Sequence, residues 1–199
     1  EERAKFPRGS RHMRFSDNHD ERRAIARFGE RAALAASLLV FTLDGVPMLY
    51  NGMEVGDTTE SGAPALFERL PVFWQMAERR PEFPRFYKQV IALRKAHEAL
   101  RRGDLEWVRN SDEAHVVTYL RRTPREEVLV AINLSNRAVV GLVEAGNGAA
   151  FTDVTPDIAP PLPPDAPAPE RGAAAARNVA LPALALDAWG YRIFRRALR

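Results

Sequence analysis

The apolar pattern of this chain changes period once, at Gly103, and that change limits the fold more than any other feature. Before it, apolar residues recur at helical intervals. "AALAASLLVFTL" (32–43) is rich in small residues that suit close packing, and Phe86, Val90, Leu93 and Leu100 fall on one stripe of a helix predicted from about Pro84 to Arg102. Pro84 suits the first turn of that helix and Gly103 its end, with His97 on a helix face. From Asp104 the period becomes two. "DLEWV", "HVVTYLRR", "EEVLVAINLS", "AVVGLVE" and "WGYRIFRR" read as strands of a small antiparallel domain. Trp107 and Trp189 are expected in its core. The tract 156–177 holds seven of the fifteen prolines, so it cannot lie inside a sheet and reads as a loop excursion.

The first half has its own order. Residues 9–16 read as a short strand, "ERRAIARFGERAALAASLLVFTLDG" as a loop and a helix capped by Gly45, and "VPMLY" (46–50) as a fully buried parallel strand. Strand, helix and strand make a βαβ unit, and in such units chemistry gathers at the carboxyl ends of the strands. Two polar groups stand there. The first is "DNHD" (17–20), which closes the first strand; the second is the stretch after "VPMLY", with Tyr50 and Glu54. Asp20 and Asn18 can equally cap the following helix, and Asp17 the turn. Glu21 and Arg22 read as a solvated or structural pair. Phe73 and Trp74 either stack on a ligand or pack beneath a helix, the second reading being preferred.

Composition removes several classes. The chain has no cysteine, which rules out disulfides and thiolate chemistry and suits a cytoplasmic location. Its longest apolar run is too short for a bilayer, which needs about 20 residues, so no membrane partner is expected. Only Lys5, Lys88 and Lys95 are lysines among the 29 basic residues. These cations are interleaved with 26 acids for a net charge of +3, without the concentrated basic face of a nucleic-acid binder. His12, His19, His97 and His115 are scattered, with no pair at metal-ligand spacing, so no metal and no cofactor is assigned.

"FSDNHD" (15–20) resembles the seventh strand-end of the alpha-amylase family of glycoside hydrolases (glycoside hydrolase family 13). "GVPMLYNGMEVG" (45–56) matches that family's Gly-x-Pro-x-x-Tyr-x-Gly-x-Glu-x-Gly pattern around strand eight. "FPRFYKQVIALRKAHEALRRG" (83–103) is similar to the last barrel helix, and "VLVAINLSN" followed by "LDAWGYRIF" to the C-terminal β domain. The resemblance implies an α/β plus β fold. Residues 1–102 would form the last two strand-helix units of a (β/α)8 TIM barrel, and 103–199 a C-terminal antiparallel β-sandwich.

It also implies a chemistry. Retaining enzymes that cut glycosidic bonds hold an acid and a nucleophilic carboxylate about 5–5.5 Å apart. The family adds a third carboxylate, which would be Asp20 here, gripping sugar hydroxyls as the ring gains positive charge. His19 would donate to a hydroxyl, Asn18 would orient the turn or reach the sugar, and Tyr50 and Glu54 would touch the site or shape the backbone. The nucleophile and acid/base belong upstream in the family, and "EERAKFPRGSRHM" offers only Glu1 and Glu2. The expectation is therefore a portion of a longer α-glucosidase or transglycosidase, inactive alone, whose partners are an α-glucan or α-glucoside substrate and the missing N-terminal barrel segment. Calcium is bound in the family mainly by segments absent here. The alternative is a non-catalytic amylase-like scaffold or carbohydrate-binding protein.

Overall fold

The computed structural model describes residues 5–59, 69–156 and 180–199. The expected tract 156–177 lies, beyond Pro156, outside the described residues. The chain opens with a parallel pair, β1 (Met13–Arg14) and β2 (Val46–Pro47), in register Met13 with Val46 and Arg14 with Pro47. Between them run α1 (Ala24–Phe28) and α2 (Glu30–Thr42). The βαβ order is as expected, but both strands are shorter than 9–16 and 46–50. Two backbone bonds flank the paired residues, Val46 N–H to the His12 carbonyl at 2.9 Å and Met48 N–H to the Arg14 carbonyl at 2.8 Å. Nor is β2 fully buried: Met13 and Val46 are more than half exposed, because no described residue stacks on their outer face.

Gly29 (φ 83°) separates α1 from α2, and α2 stops at Thr42 because Leu43 turns extended. Gly45 is therefore not the helix cap. Its φ of 103° makes the turn into β2, and a Cβ there would stand 2.4 Å from the His12 carbonyl oxygen, so only glycine lets the strands approach. On α2, Ala35, Leu38 and Phe41 fall on one buried stripe.

α3 (Met76–Arg79) buries nothing, which leaves Phe73 and Trp74 about half exposed rather than packed beneath a helix. The predicted helix 84–102 begins at Glu82 and is two helices, α4 (Glu82–Ala96) and α5 (Glu98–Arg102). His97 breaks them in extended conformation, turned toward Glu126, and so is not a helix-face residue. Phe86, Val90, Leu93 and Leu100 are all buried, as their spacing requires.

The second half contains a five-stranded antiparallel sheet, β3 (Asp104–Trp107), β4 (Val116–Arg122), β5 (Glu126–Asn133), β9 (Tyr191–Ala197) and β7 (Thr152–Asp153), in that spatial order. A separate antiparallel pair joins β6 (Val139–Leu142) to β8 (Ala183–Leu186). Central strand β5 is buried along its whole length. Its even-numbered apolar residues, Val128, Val130 and Ile132, share a core with α2 and α4, whereas Leu129 and Ala131 share another with β6 and β8. Burial on both faces explains why "VLVAI" shows little polar alternation. Trp189 packs at the edge of the helical core, with φ 58°. Trp107 does not enter a core: it lies on edge strand β3, 64% exposed, and only leans its ring on Tyr119 at 5.6 Å.

Helices and sheet meet at a polar seam. The Tyr119 hydroxyl lies 2.6 Å from Thr42 Oγ1, which donates to the Leu38 carbonyl. The fully buried Arg121 guanidinium donates to the carbonyls of Thr42, Leu100 and Gly103 at 2.7–3.2 Å. Hydrogen bonds from a charged group contribute about 1.5–3 kcal/mol each, so these three offset much of the desolvation of the cation. They also occupy the free carbonyls that every helix C-terminus leaves.

Candidate functional site

Because β1 and β2 are parallel and paired, residues 17–20 and 50–54 emerge at the same end. Asp17 lies deepest, 1% exposed. Its Oδ2 accepts the Ala24 N–H at 2.8 Å and stands 3.4 Å from Arg23 Nε. This carboxylate, and not Asp20, holds the start of α1. Burial pushes the Asp17 carboxyl up, against the Ala24 N–H and the Arg23 charge, which pull it down. Its Oδ1 has no hydrogen-bond partner.

Asn18 resolves to one of its two expected roles. Its Oδ1 accepts both the Asp20 and the Glu21 N–H, at 2.9 and 3.0 Å, so it builds the turn. That leaves Asp20 free of backbone duty. Its side chain is 63% exposed, with His19 Nε2 3.2 Å from Oδ2 as its near neighbour. His19 is also exposed. Neither of the two cavities described below is lined by Asp20. Glu21 faces Arg27 at 3.7 Å instead of pairing with Arg22.

The second loop is tightly wound. Glu54 Oε2 accepts the Gly52 N–H at 2.9 Å, so Glu54 shapes the turn. A side chain at Gly52 (φ 91°) would be strained, and its Cβ would press on Asp57 and Arg23 Nη2 at 3.0–3.2 Å. Tyr50 offers its ring to Arg23, whose guanidinium lies 4.9 Å from the centroid. Arg23 Nη1 donates to the Asn51 carbonyl at 3.0 Å. Arg23, 7% exposed, thus joins the two loops. Sequence reasoning missed it: in "DERR" nothing separates a buried arginine from a solvated one. Asp17, expected to cap only the turn, reaches the first N–H of α1 instead, a contact seven residues away that the sequence does not display.

A cavity of about 10 Å³ adjoins this junction, lined by Asp17, Arg23, Asp57 and Tyr87 among others. The larger cavity, about 70 Å³, lies at the opposite, amino-terminal end of the strands, beside His12, Asp44, Arg101 and Arg121. Size does not make it the better site. Nearby Arg94 is held to about 10 by burial and by the charges of Arg121, Arg11 and Arg101, and it donates to the carbonyls of Phe41 and Gly45. These arginines serve helix and strand ends. Chemistry in parallel α/β folds concentrates at the carboxyl end, where Asp20 stands. Among the described residues no three His, Asp or Glu side chains converge as a metal site, so no calcium ligand is assigned. No described helix is long and apolar enough to cross a membrane.

No family model matches the chain. Curated relatives do. It is 30% identical over 131 residues to alpha-amylase 2 of Dictyoglomus thermophilum, covering 62% of this chain and 22% of that protein. It is 32% identical to a cyclomaltodextrinase of Geobacillus thermopakistaniensis, over 61% of this chain and 20% of the relative. It is also 32% identical to alpha-amylase MalA of Haloarcula japonica, over 72% of this chain and 21% of the relative. The chain thus spans about a fifth of the length of the curated relatives it matches. Among solved structures, trehalose-6-phosphate hydrolase of Bacillus licheniformis aligns with TM-score 0.67 over 96% of this chain and 44% of that one, at 15% identity. Cyclic α-maltosyl-(1→6)-maltose hydrolase of Arthrobacter globiformis aligns with TM-score 0.66 over 98% and 38%, at 21% identity. Those two likenesses concern the fold, a mixed α/β arrangement shared almost from end to end. Over most of its length, the chain is homologous to several enzymes of the alpha-amylase family.

Proposed function

We propose that this chain is the carboxyl-terminal portion of a retaining glycosidase or transglycosidase acting on α-glucosidic bonds. In this reading residues 1–102 supply the last two strand-helix units of a (β/α)8 barrel and residues 103–199 an antiparallel β-sandwich. Asp20 is its transition-state carboxylate. The single observation that carries the reading is local: Asp20 projects at the carboxyl end of a parallel strand pair, while Asp17 and Asn18 do all the capping around it. A carboxylate spared from structural work is available to a ligand.

What it does there follows from electrostatics. Hydrogen bonds from sugar hydroxyls to an ionised carboxylate strengthen as the ring acquires oxocarbenium character, so the transition state is held more tightly than the ground state. His19, 3.2 Å away, donates to a hydroxyl of the same sugar. The nucleophile and the acid/base come from a preceding segment of the polypeptide. The curated relatives bear the names of an amylase and a cyclomaltodextrinase, and an α-1,4-linked glucan or a maltooligosaccharide is the substrate class this supports.

The test is Asp20→Asn in the longer polypeptide that carries this chain, assayed on maltotriose. Turnover falls by about 10³-fold or more with the melting temperature unchanged, the loss expected when a preorganised electrostatic group is removed. Near-normal turnover would remove Asp20 from the mechanism. A second reading is a non-catalytic amylase-like scaffold. It predicts maltotriose binding without turnover in the unaltered protein.

A further inference from the structure

We propose that Arg23 is the positioning residue of this site: it ties the loop bearing Asp20 to the loop bearing Tyr50, so the two loops hold one geometry. The catalytic consequence rests on the reading of Asp20 given above; the tie itself does not.

Three contacts converge on one guanidinium. Nε faces Asp17 Oδ2 at 3.4 Å, Nη1 donates to the Asn51 carbonyl at 3.0 Å, and the plane lies 4.9 Å from the Tyr50 ring centroid. Asp17 belongs to the first loop, Asn51 and Tyr50 to the second. They are more than 30 residues apart in sequence, and the strands behind them share only two residue pairs. So short a ladder cannot fix loops that extend three to six residues beyond it. Arg23 supplies the missing connection where they separate.

The local design agrees. Asp17 binds the Ala24 N–H and Asn18 binds the Asp20 and Glu21 N–H groups, which closes residues 17–24 into a ring. Within that ring Asp20 has no backbone donor of its own, and His19 is its near neighbour. Its direction is therefore set by the ring, and the ring by Arg23. Gly52 admits the guanidinium, since a Cβ there would stand 3.1 Å from Nη2. Arg23 is nine-tenths buried while Nε and Nη2 keep no hydrogen bond to protein. A cation kept in place with two nitrogens lacking hydrogen bonds is better explained by what it connects than by stability, because buried charges with unmet bonds are costly.

Lysine keeps the charge but has neither the fork nor the plane, so it cannot make the Asp17, Asn51 and Tyr50 contacts together. In Arg23→Lys, amide exchange of Asp20 and Glu21 should accelerate at least tenfold, while amides of α2 and α4 keep their wild-type rates. In the longer polypeptide the same variant should lower kcat on maltotriose roughly 10–100-fold with KM changed less than about threefold, as misplacement by about 1 Å does. General destabilisation would instead speed exchange throughout, and that result overturns the proposal. So does wild-type kcat in Arg23→Lys when Asp20→Asn is inactive, which leaves the function intact and removes only Arg23. Wild-type turnover in Asp20→Asn overturns both. If Arg23→Lys fails to fold, Asp17→Asn serves: it keeps an acceptor for Ala24 N–H, removes the ion pair, and must give the same local exchange and kcat pattern.

Discussion

Two buried carboxylates, one in each half of the chain, are treated in opposite ways. Asp17 sits beneath the strand ends with one backbone N–H and one arginine, and one of its oxygens is left without a hydrogen bond. Glu126 sits where α4, α5 and the sheet meet, and every direction is answered: the Ala99 N–H at 2.9 Å, His97 Nδ1 at 3.2 Å and Arg195 Nε at 3.1 Å. Burial pushes both carboxyls up. At Asp17 it wins; at Glu126 the Ala99 N–H, His97 and Arg195 together outweigh it, and the carboxyl is held below its usual range. The Glu126 cluster is a structural joint, stabilised by full satisfaction of its polar atoms. The Asp17–Arg23 cluster tolerates orphaned atoms at the carboxyl end of the strands, beside the candidate site. Departures from local satisfaction of this kind are expected near functional sites.

The sharpest way to break that contrast is truncation. Asp17→Ala removes the carboxylate that faces the buried Arg23 at 3.4 Å and leaves α1 uncapped, and should destabilise the chain by about 3–5 kcal/mol in urea unfolding. Glu126→Ala strips an acceptor from the α5 start and separates His97 from Arg195, but Arg195 can turn to water. The expected loss is smaller, about 1–3 kcal/mol. If the order were reversed, Asp17 would not be the more exposed to the loss of its partner, and the contrast would fail.

Conservative variants sharpen it further. Gln in place of Glu126 can still accept from Ala99 but loses the ion pair with Arg195, so Glu126→Gln should destabilise by about 1 kcal/mol. Gly52→Ala tests the tightness of the other cluster. The strained φ and the collision with Arg23 Nη2 and Asp57 together should lower stability by about 1–2 kcal/mol. It should also accelerate exchange at Asp20, although Gly52 touches no residue of that turn in sequence. No change at Asp20 would mean that the loops are independent.

Much of this was legible in the sequence, for particular reasons. Phe86, Val90, Leu93 and Leu100 keep helical spacing because their helices bury one stripe against one core. The alternation from Asp104 onward reports a sheet. The βαβ order was readable from Gly45, Pro47 and the apolar runs on either side. What stayed hidden depends on contacts distant in the chain. His97 breaks a continuous helical pattern because Glu126, 29 residues later, holds its ring. Trp107 has the composition of a core residue and the position of an edge residue, and only the strand order shows the edge. At the candidate site the motif "DNHD" singled out residues 17–20. It could not say that Asn18 turns inward to the backbone, that Asp17 caps α1, or that the second arginine of "ERR" rather than the first is buried.

The smallest effect is the most specific to the comparison, because the two carboxylates contribute to pH-dependent stability with opposite signs. The Glu126 carboxyl is lower in the folded state than its ordinary value of 4.5, so its contribution is complete above that value and is lost as pH falls through the folded pKa. Asp17 is raised above its ordinary value of 3.8, so the folded state favours its protonated form, and stability is gained as pH falls from the raised pKa toward 3.8. In melting curves between about pH 6 and 3, Glu126→Gln should flatten the acid-side loss of the wild type. Asp17→Asn, which removes the opposing gain, should steepen it. Parallel shifts in the two variants would mean that both carboxylates are held alike, and that the unmet bonds around Asp17 carry no electrostatic consequence.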